Sequence, residues 1–532
     1  MAKLIELCDV CGRVKVLTNE ATSTRYTFQW DSERKLKTRE FTVSMRRYRC
    51  THSEVLETEV LPKIRIFSHD KSMEARPYQL ESLEFARKTN YNFLNADAMG
   101  LGKTAQSLMC VTDLIAAGKK PVIIVVKSAT TYQWIKNYRL WTGDHMTAIS
   151  PVMDSKTPIL PVFDAYVISM DLLGRRTSKQ SKDYIMADKL AKLQPKCVIV
   201  DECHNFKEDG AHRTKALISL ITQARIPHRI FLSGTPIKNR ADEYFVVLNL
   251  IAPNEFPSYK RFASRWLETD GKRIRQHALQ DFRNLTSHFI IRREKEEVLF
   301  DLPSFERDEE WITINDPAIK DLYNHELDIE SNFMRSGEKL SQTRMLGWLQ
   351  KMRHIAALAK LSPASEYLAD FCESVPDEKI AVGIHHTDIR TTLAENLRQF
   401  NPIQLSGDDS AEAKNDLVEK FRGNGNQIAI ISELAGGTGL DGLQVCNNVL
   451  VLERQWNASD EEQFESRFHR SGQLKPVRAV YMGAVGTIDQ WFADMVREKR
   501  AIFGMTVSNN WQFTGDTGAI KKLYTQTLEN YL

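Results

Sequence analysis

The stretch Asn95-Ala96-Asp97-Ala98-Met99-Gly100-Leu101-Gly102-Lys103-Thr104 constrains this chain more than any other. Two glycines one residue apart let the backbone turn tightly and come close to a phosphate chain. Lys103 then offers an ammonium to the β/γ oxygens, and Thr104 a hydroxyl to a Mg²⁺ ion. An extended segment (91–96) precedes the loop and a helix-like run (104–117) follows it. The loop would therefore sit at a helix N-terminus, where unpaired N–H groups and the dipole favour anions. The general phosphate-loop pattern has a glycine where this chain has Asp97, so the match is to the shorter G-x-G-K-T form. A plain glycine turn before a helix is the competing reading. What stands downstream, and in which order, decides between them.

A length of 532 residues suggests two or three domains, each with its own core. The net charge is +3, so any basic surface for nucleic acid must be local. No apolar run approaches the ~20 residues of a membrane span, and the first residues do not read as a signal peptide because Glu6 breaks a short apolar stretch. Of eight cysteines, Cys110, Cys197, Cys203, Cys372 and Cys446 are scattered in apolar or mixed runs, which fits buried thiols in a reducing compartment.

The first seventy residues read as a small β-rich module. Cys8-Asp9-Val10-Cys11-Gly12 has the form of a zinc knuckle, with Cys50 and His52 as the nearest partners. The C-x-H second half is unusual, and two free cysteines in a β module is the alternative. Arg25, Arg34, Lys35, Lys37, Arg39, Arg46, Arg47 and Arg49, interleaved with Tyr26, Trp30, Phe41 and Tyr48, suit either nucleic-acid contact or a solvated charged hairpin.

Arg76-Pro77-Tyr78-Gln79 begins a helix-like run. Gln79 could read adenine with its amide and Tyr78 could stack on the base, or the four residues could simply start a helix with proline near N1. After the loop helix, the apolar, β-branched run 121–126 reads as a buried parallel strand. Cys197-Val198-Ile199-Val200-Asp201-Glu202-Cys203-His204 is another, delivering two adjacent carboxylates at its end. Asp201 would hold Mg²⁺ and Glu202 would polarise an attacking water. Ile230-Phe231-Leu232-Ser233-Gly234-Thr235-Pro236 ends a third strand in hydroxyls at a tight turn.

The loop, the Asp-Glu-x-His box and Ser-Gly-Thr-Pro, in this order, resemble helicase superfamily two. Arg-Pro-Tyr-Gln, Asp-x-Met-Gly-Leu-Gly-Lys-Thr, Leu-Ser-Gly-Thr-Pro-Ile-Lys-Asn and Phe289-Ile290-Ile291-Arg292-Arg293-Glu294-Lys295-Glu296-Glu297-Val298 resemble the Swi/Snf-type DNA-dependent ATPases. Residues 240–375 are mostly helical in pattern, and the resemblance implies helical protrusions there. A second α/β alternation begins near 378, with strands expected at 380–384, 403–405, 427–432 and 449–452. Gly436-Gly437-Thr438-Gly439-Leu440 follows the third of these, and its glycines permit close approach to a phosphate of DNA or ATP. Finally, Gln463-Phe464-Glu465-Ser466-Arg467-Phe468-His469-Arg470-Ser471-Gly472-Gln473 spaces Arg467 and Arg470 three apart, on one face of an expected helix. Two guanidiniums so placed could meet a γ-phosphate and stabilise its charge as it transfers. The resemblance covers roughly residues 75–500.

The fold expected is α/β, with two recA-like parallel-sheet lobes, helical insertions and a small β-rich N-terminal module. The expected parts are 1–70, a first lobe at 71–300, a helical protrusion and linker at 301–375, a second lobe at 376–500 and a tail at 501–532. The resemblance implies an ATPase that moves on duplex or branched DNA, in a bacterial or phage-infected cytoplasm or, in a eukaryote, the nucleus, with no membrane. A strand-separating helicase on DNA or RNA, and a DNA-structure-binding module with a switch-like motor, are the rivals. Residues 1–70 are the place for a protein partner. The zinc reading predicts one zinc per chain, lost in Cys8→Ser. Metal analysis that finds none in the parent, or no change in the variant, ends that reading.

Overall fold

The computed structural model describes residues 75–141, 149–176, 178, 183–234, 241–269, 271, 274–336, 341–432, 442–455 and 458–507, and the backbone of three earlier strands. These strands, β1 (Val16–Trp30), β2 (Leu36–Arg49) and β3 (Glu54–Phe67), form an antiparallel meander. Cys8, Cys11, Cys50 and His52 lie outside the described residues. Among the described residues no group of three or more His, Cys, Asp or Glu side chains could hold a metal ion, and no helix is long and apolar enough to cross a membrane.

Seven parallel strands make the first large sheet: β4 (Asn92–Asn95), β5 (Val122–Val126), β6 (Ile149–Val152), β7 (Ala165–Ser169), β8 (Cys197–Val200), β9 (His228–Leu232) and β10 (Ile290–Ile291). Their order is β10-β4-β9-β8-β5-β7-β6. β5 and β8 are buried along their whole length. A strand covered on both faces reads as an unbroken apolar run, which is why these two are so plain in the sequence. The helix Lys103–Ala116 buries Ala105, Leu108, Val111, Leu114 and Ile115, a stripe at helical spacing. It is tied to the helix Pro77–Lys88 by a buried hydrogen bond from Ser82 Oγ to Gln106 Oε1 (2.6 Å).

Six parallel strands make the second: β11 (Phe305–Ile312), β12 (Ile380–Ile384), β13 (Ile403–Leu405), β14 (Ile428–Ser432), β15 (Asn448–Val451) and β16 (Val477–Ala484), in the order β11-β16-β15-β12-β14-β13. One face packs Ile380, Val382, Ile430 and Leu450 under the helices Gln342–Ser374 and Thr387–Asn396; the other packs Ala381, Ile431, Val449 and Tyr481 with Phe464 and Phe468. β11 falls inside a stretch whose pattern reads as helical. Glu306, Arg307, Asp308, Glu309 and Glu310 suit a solvated helix face, but here they decorate an edge strand, where charge is tolerated and discourages pairing with other chains.

By packing, the chain divides into two compact units: Met1–Asn92 with Thr104–Asp201 and Gly210–Ile230, and Phe93–Lys103 with Glu202–Asp209 and Phe231–Leu532. The five cysteines of the described core are buried free thiols.

Two carboxylates fix the second sheet's ends. Glu453, beyond β15, accepts from the backbone N–H groups of His385 (2.8 Å) and His386 (2.9 Å), just past β12. Burial pushes its carboxyl up, but the hydrogen bond from His386 and the Arg353 charge outweigh that and draw it down to about 2. Asp489 pairs with buried Lys360 at 2.7 Å. On the β11 side, Trp311 lies opposite Gly483, and a Cβ at Gly483 would come within 2.5 Å of the indole. Gly483→Ala is expected to destabilise this sheet by about 1–3 kcal/mol through overpacking, read as a lower urea midpoint. Adding Trp311→Leu should recover most of the loss.

Candidate active site

The phosphate loop begins where β4 ends. Asn95 Oδ1 accepts from the Asp97 N–H (3.0 Å), while the Ala96 and Ala98 N–H groups donate to the carbonyls of Ile291 (2.8 Å) and Arg293 (2.9 Å). Gly100 and Gly102 hold φ of +90° and +74°, left-handed values that cost L-residues about 1–2 kcal/mol. Lys103 opens the helix, and its ammonium folds back to donate to Asp97 O (2.8 Å) and Ala98 O (3.2 Å). Thr104 follows in the first turn, half-buried.

Asp97, the departure from the general pattern, is fully buried. Arg293 grips it with Nε (3.1 Å) and Nη2 (2.6 Å). Next to it, Arg292 Nη1 donates to Ala96 O (3.0 Å) and Gly234 O (3.3 Å). The loop is thus clamped from β10 as well as carried on β4. Paired, planar guanidinium–carboxylate contacts give orientation as well as attraction.

The acidic pair stands at the end of β8. Asp201 donates its N–H to Val125 O (2.9 Å) and accepts from Trp134 Nε1 at Oδ2 (2.9 Å). Glu202 has φ +47°, a left-handed conformation rare for a residue with a Cβ. Asn205 satisfies its carbonyl through Nδ2 (2.8 Å) and its own N–H (3.0 Å). His204 Nδ1 lies 3.0 Å from Ser233 Oγ and 3.4 Å from Glu202 Oε2, so the acidic box and the start of the Ser-Gly-Thr-Pro turn are joined. Thr235 and Pro236 fall outside the described residues. Glu202 Oε1 accepts from Gln463 Nε2 at 3.1 Å, a contact that links it to the helix Ala458–Glu465.

That helix stops at Glu465, so Arg467 and Arg470 lie on the turns after it and not on one helix face. The chain tightens there: Arg467 N–H bonds back three residues to Phe464 O (3.0 Å), and Phe464 and Phe468, both buried, anchor the turn by an edge-to-face contact. The three-residue spacing of the arginines is right for either conformation. A Cβ at Gly100 would lie 3.5 Å from Arg470 Cβ, so the arginine segment sits directly over the phosphate loop. Beside them is a cavity of about 420 Å³, lined by Met99, Gly234, Lys295, Arg307, Glu462 and His469 among others.

Tyr78 and Gln79 are both buried. Gln79 Oε1 accepts from the Arg76 N–H (3.0 Å), which closes the helix start; this is the plain helix-start geometry. Gly439 is outside the described residues. Thr104 and Asp201 offer hydroxyl and carboxylate oxygens, a hard donor set that fits Mg²⁺ completed by substrate phosphates and water. Gln463, Arg293, Lys295 and Asp97 were assigned no role from sequence, although each lies within a motif. Their partners are too far along the chain for spacing to reveal.

Arg293→Met is expected to cost about 3–5 kcal/mol, because it leaves the Asp97 carboxylate buried and unpaired. Arg293→Met with Asp97→Leu should recover most of it, as measured by the urea midpoint of the purified chain.

Residues 78–360 match the SNF2-related domain and residues 363–472 the helicase conserved C-terminal domain. Among curated proteins, the human DNA annealing helicase and endonuclease ZRANB3 is 28% identical over 446 residues, 81% of this chain and 40% of its own length. The putative ATP-dependent helicase/translocase YwqA of Bacillus subtilis is 26% identical over 85% of this chain and 50% of its own length. This chain therefore spans half or less of those relatives. The SWI2/SNF2 ATPase core domain of Sulfolobus solfataricus, a solved structure, is 22% identical, covering 82% of this chain and 91% of that one with a TM-score of 0.40. The chain belongs to the SNF2-related family, whose domains are helicase-like ATPases.

Proposed function

We propose that this chain binds ATP with Mg²⁺ at the 95–104 loop, hydrolyses it, and uses the cycle to move along duplex DNA without separating its strands. One observation carries the reading. The segment bearing Arg467 and Arg470 meets both halves of the hydrolytic machinery, Glu202 through Gln463 (3.1 Å) and the phosphate loop through Arg470 beside Gly100. On this reading Lys103 exchanges its two loop carbonyls for phosphate oxygens. Glu202 orients the attacking water, and Arg467 and Arg470 stabilise the charge that develops on the transferring group. Mg²⁺ held by Thr104 and Asp201 would neutralise charge on the phosphate oxygens. Gly439 is assigned to phosphate contact. The lobes at 71–300 and 376–500 carry the two sets of motifs.

DNA as the partner is supported by the family and by relatives described as a DNA annealing helicase and as a helicase/translocase. Such a motor needs no base readout, so backbone contacts and steeply salt-dependent binding are expected.

ATP hydrolysis measured without nucleic acid, with single-stranded DNA, with duplex DNA and with RNA tests this directly, with Glu202→Gln as the blank. Stimulation mainly by duplex, and a rate at least about a hundredfold lower in the blank, is expected. Stimulation by single strands or RNA would favour a strand-separating enzyme instead. Hydrolysis under no condition would leave the motor as a switch.

A further inference from the structure

Lys295 stands at the meeting point of the phosphate loop and the arginine segment. Its Nζ donates to His469 O at 2.8 Å. Its Cε, Arg470 Cβ and His469 O surround one point, lying 3.4, 3.5 and 3.7 Å from where a Cβ on Gly100 would be. Gly100 thus lies under a lid made of one lysine methylene and the backbone that carries Arg470. The residues on either side of Lys295 fasten the same two parts. Before it, Arg293 holds the loop through Asp97. After it, Pro303 O accepts from His469 Nε2 (2.8 Å) and Arg307 holds Glu465 with Nε (2.8 Å) and Nη2 (2.7 Å).

We propose that Lys295 is a positioning residue for hydrolysis: by holding His469 O while lying on Gly100, it sets where Arg470 stands relative to the phosphate loop. This rests on the reading of ATP at that loop and of Arg470 as a stabiliser of transferring charge. Lys295 touches no reacting atom. It acts by fixing the backbone of the residue before the arginine, and a misplacement of about 1 Å at such a group costs on the order of a hundredfold in rate.

The surroundings make the contact sensitive to pH. Glu296 stands on the lysine's own turn, Glu462 and Glu465 on the helix Ala458–Glu465, and Arg307 on β11. The loop beneath contributes Asp97, paired with Arg293, and Lys103, on its loop carbonyls. Burial pushes Lys295 down to about 8, against the pull of Glu465, Glu296 and Glu462. His469, whose ring is also drawn down by burial, is held by Pro303 O and presents its carbonyl to Lys295 whatever its charge. Above about pH 8 Lys295 loses its charge, and the charge-assisted bond to His469 O weakens.

The experiment uses the full chain with duplex DNA and ATP and compares the parent, Lys295→Met and Lys295→Arg, with Glu202→Gln as the blank. In Lys295→Met, kcat should fall about 30- to 100-fold while KM for ATP changes less than about threefold. Lys295→Arg, which keeps a permanent charge and a donor, should recover at least about a tenth of the parent's kcat. The parent's kcat should decline as pH rises through about 8, and Lys295→Arg should lack that decline. A kcat in Lys295→Met within threefold of the parent, or a loss confined to KM, overturns the proposal. Should Lys295→Met fold poorly, the arginine variant decides alone, since a decline near pH 8 that survives in it also overturns the proposal. A parent whose hydrolysis is no faster than the Glu202→Gln blank overturns the underlying reading and this proposal with it.

Discussion

The buried ion pair between Arg293 and Asp97 is the constraint on which the site depends. A carboxylate with no exposure to water must be paired, and leaving it alone costs several kcal/mol. The loop can therefore reach its position only when β10 is in register beside β4 and Arg293 is presented to it. From Arg293 the chain continues without a break through Lys295 and Pro303, attached to the arginine-bearing turns, to Arg307, attached to the end of the helix before them. One continuous segment thus carries contacts to both ends of the reacting site. A charge pair that contributes little net stability still fixes where the loop stands beside β10.

Backbone strain is spent at the same place. Gly100 and Gly102 take their left-handed conformations freely, but Glu202 does not. A glycine there would relax the turn by about 1–3 kcal/mol, and the carboxylate would be lost. The cost is held by the surroundings: buried β8 enters the turn, Asn205 takes the Glu202 carbonyl, and the buried Cys203 and Phe206 anchor the short helical turn beyond. In this conformation the Glu202 carboxylate accepts from Gln463 Nε2.

The strands β8 and β12 fall where the sequence places them because each is an unbroken apolar run between turn residues, and β13 because Ile403 and Leu405 alternate with an exposed Gln404 between Pro402 and Ser406. β10 is two residues long, and β11 hides under charge, so neither has a pattern to read. Asp201 and Glu202 stand just past the end of β8, and Lys103 opens the helix after the loop from β4, the positions at which the sequence pattern puts them. Arg467 and Arg470 were legible as residues but not as geometry, since a tight turn and a helix share a three-residue spacing. Gln79 takes the capping bond that its place after Arg76-Pro77 also allows. The unforeseen contacts join residues 196, 261 and 174 positions apart, Asp97 to Arg293, Glu202 to Gln463 and Lys295 to His469. No local pattern encodes a partner at that distance.

β11 also bears on how the chain is made. Its parallel partner β16 begins about 170 residues later, and a ribosome adding roughly 5–20 residues per second needs on the order of 10–30 seconds to reach it. During that interval a nascent strand stands with both edges unpaired, the condition that invites association with other chains. Glu306, Arg307, Asp308, Glu309 and Glu310 keep it hydrated and mutually repellent while it waits. Charges along an unpaired strand oppose its association with other chains, and in the folded sheet Arg307, Asp308 and Glu309 pair with Glu465, Arg478 and Arg454.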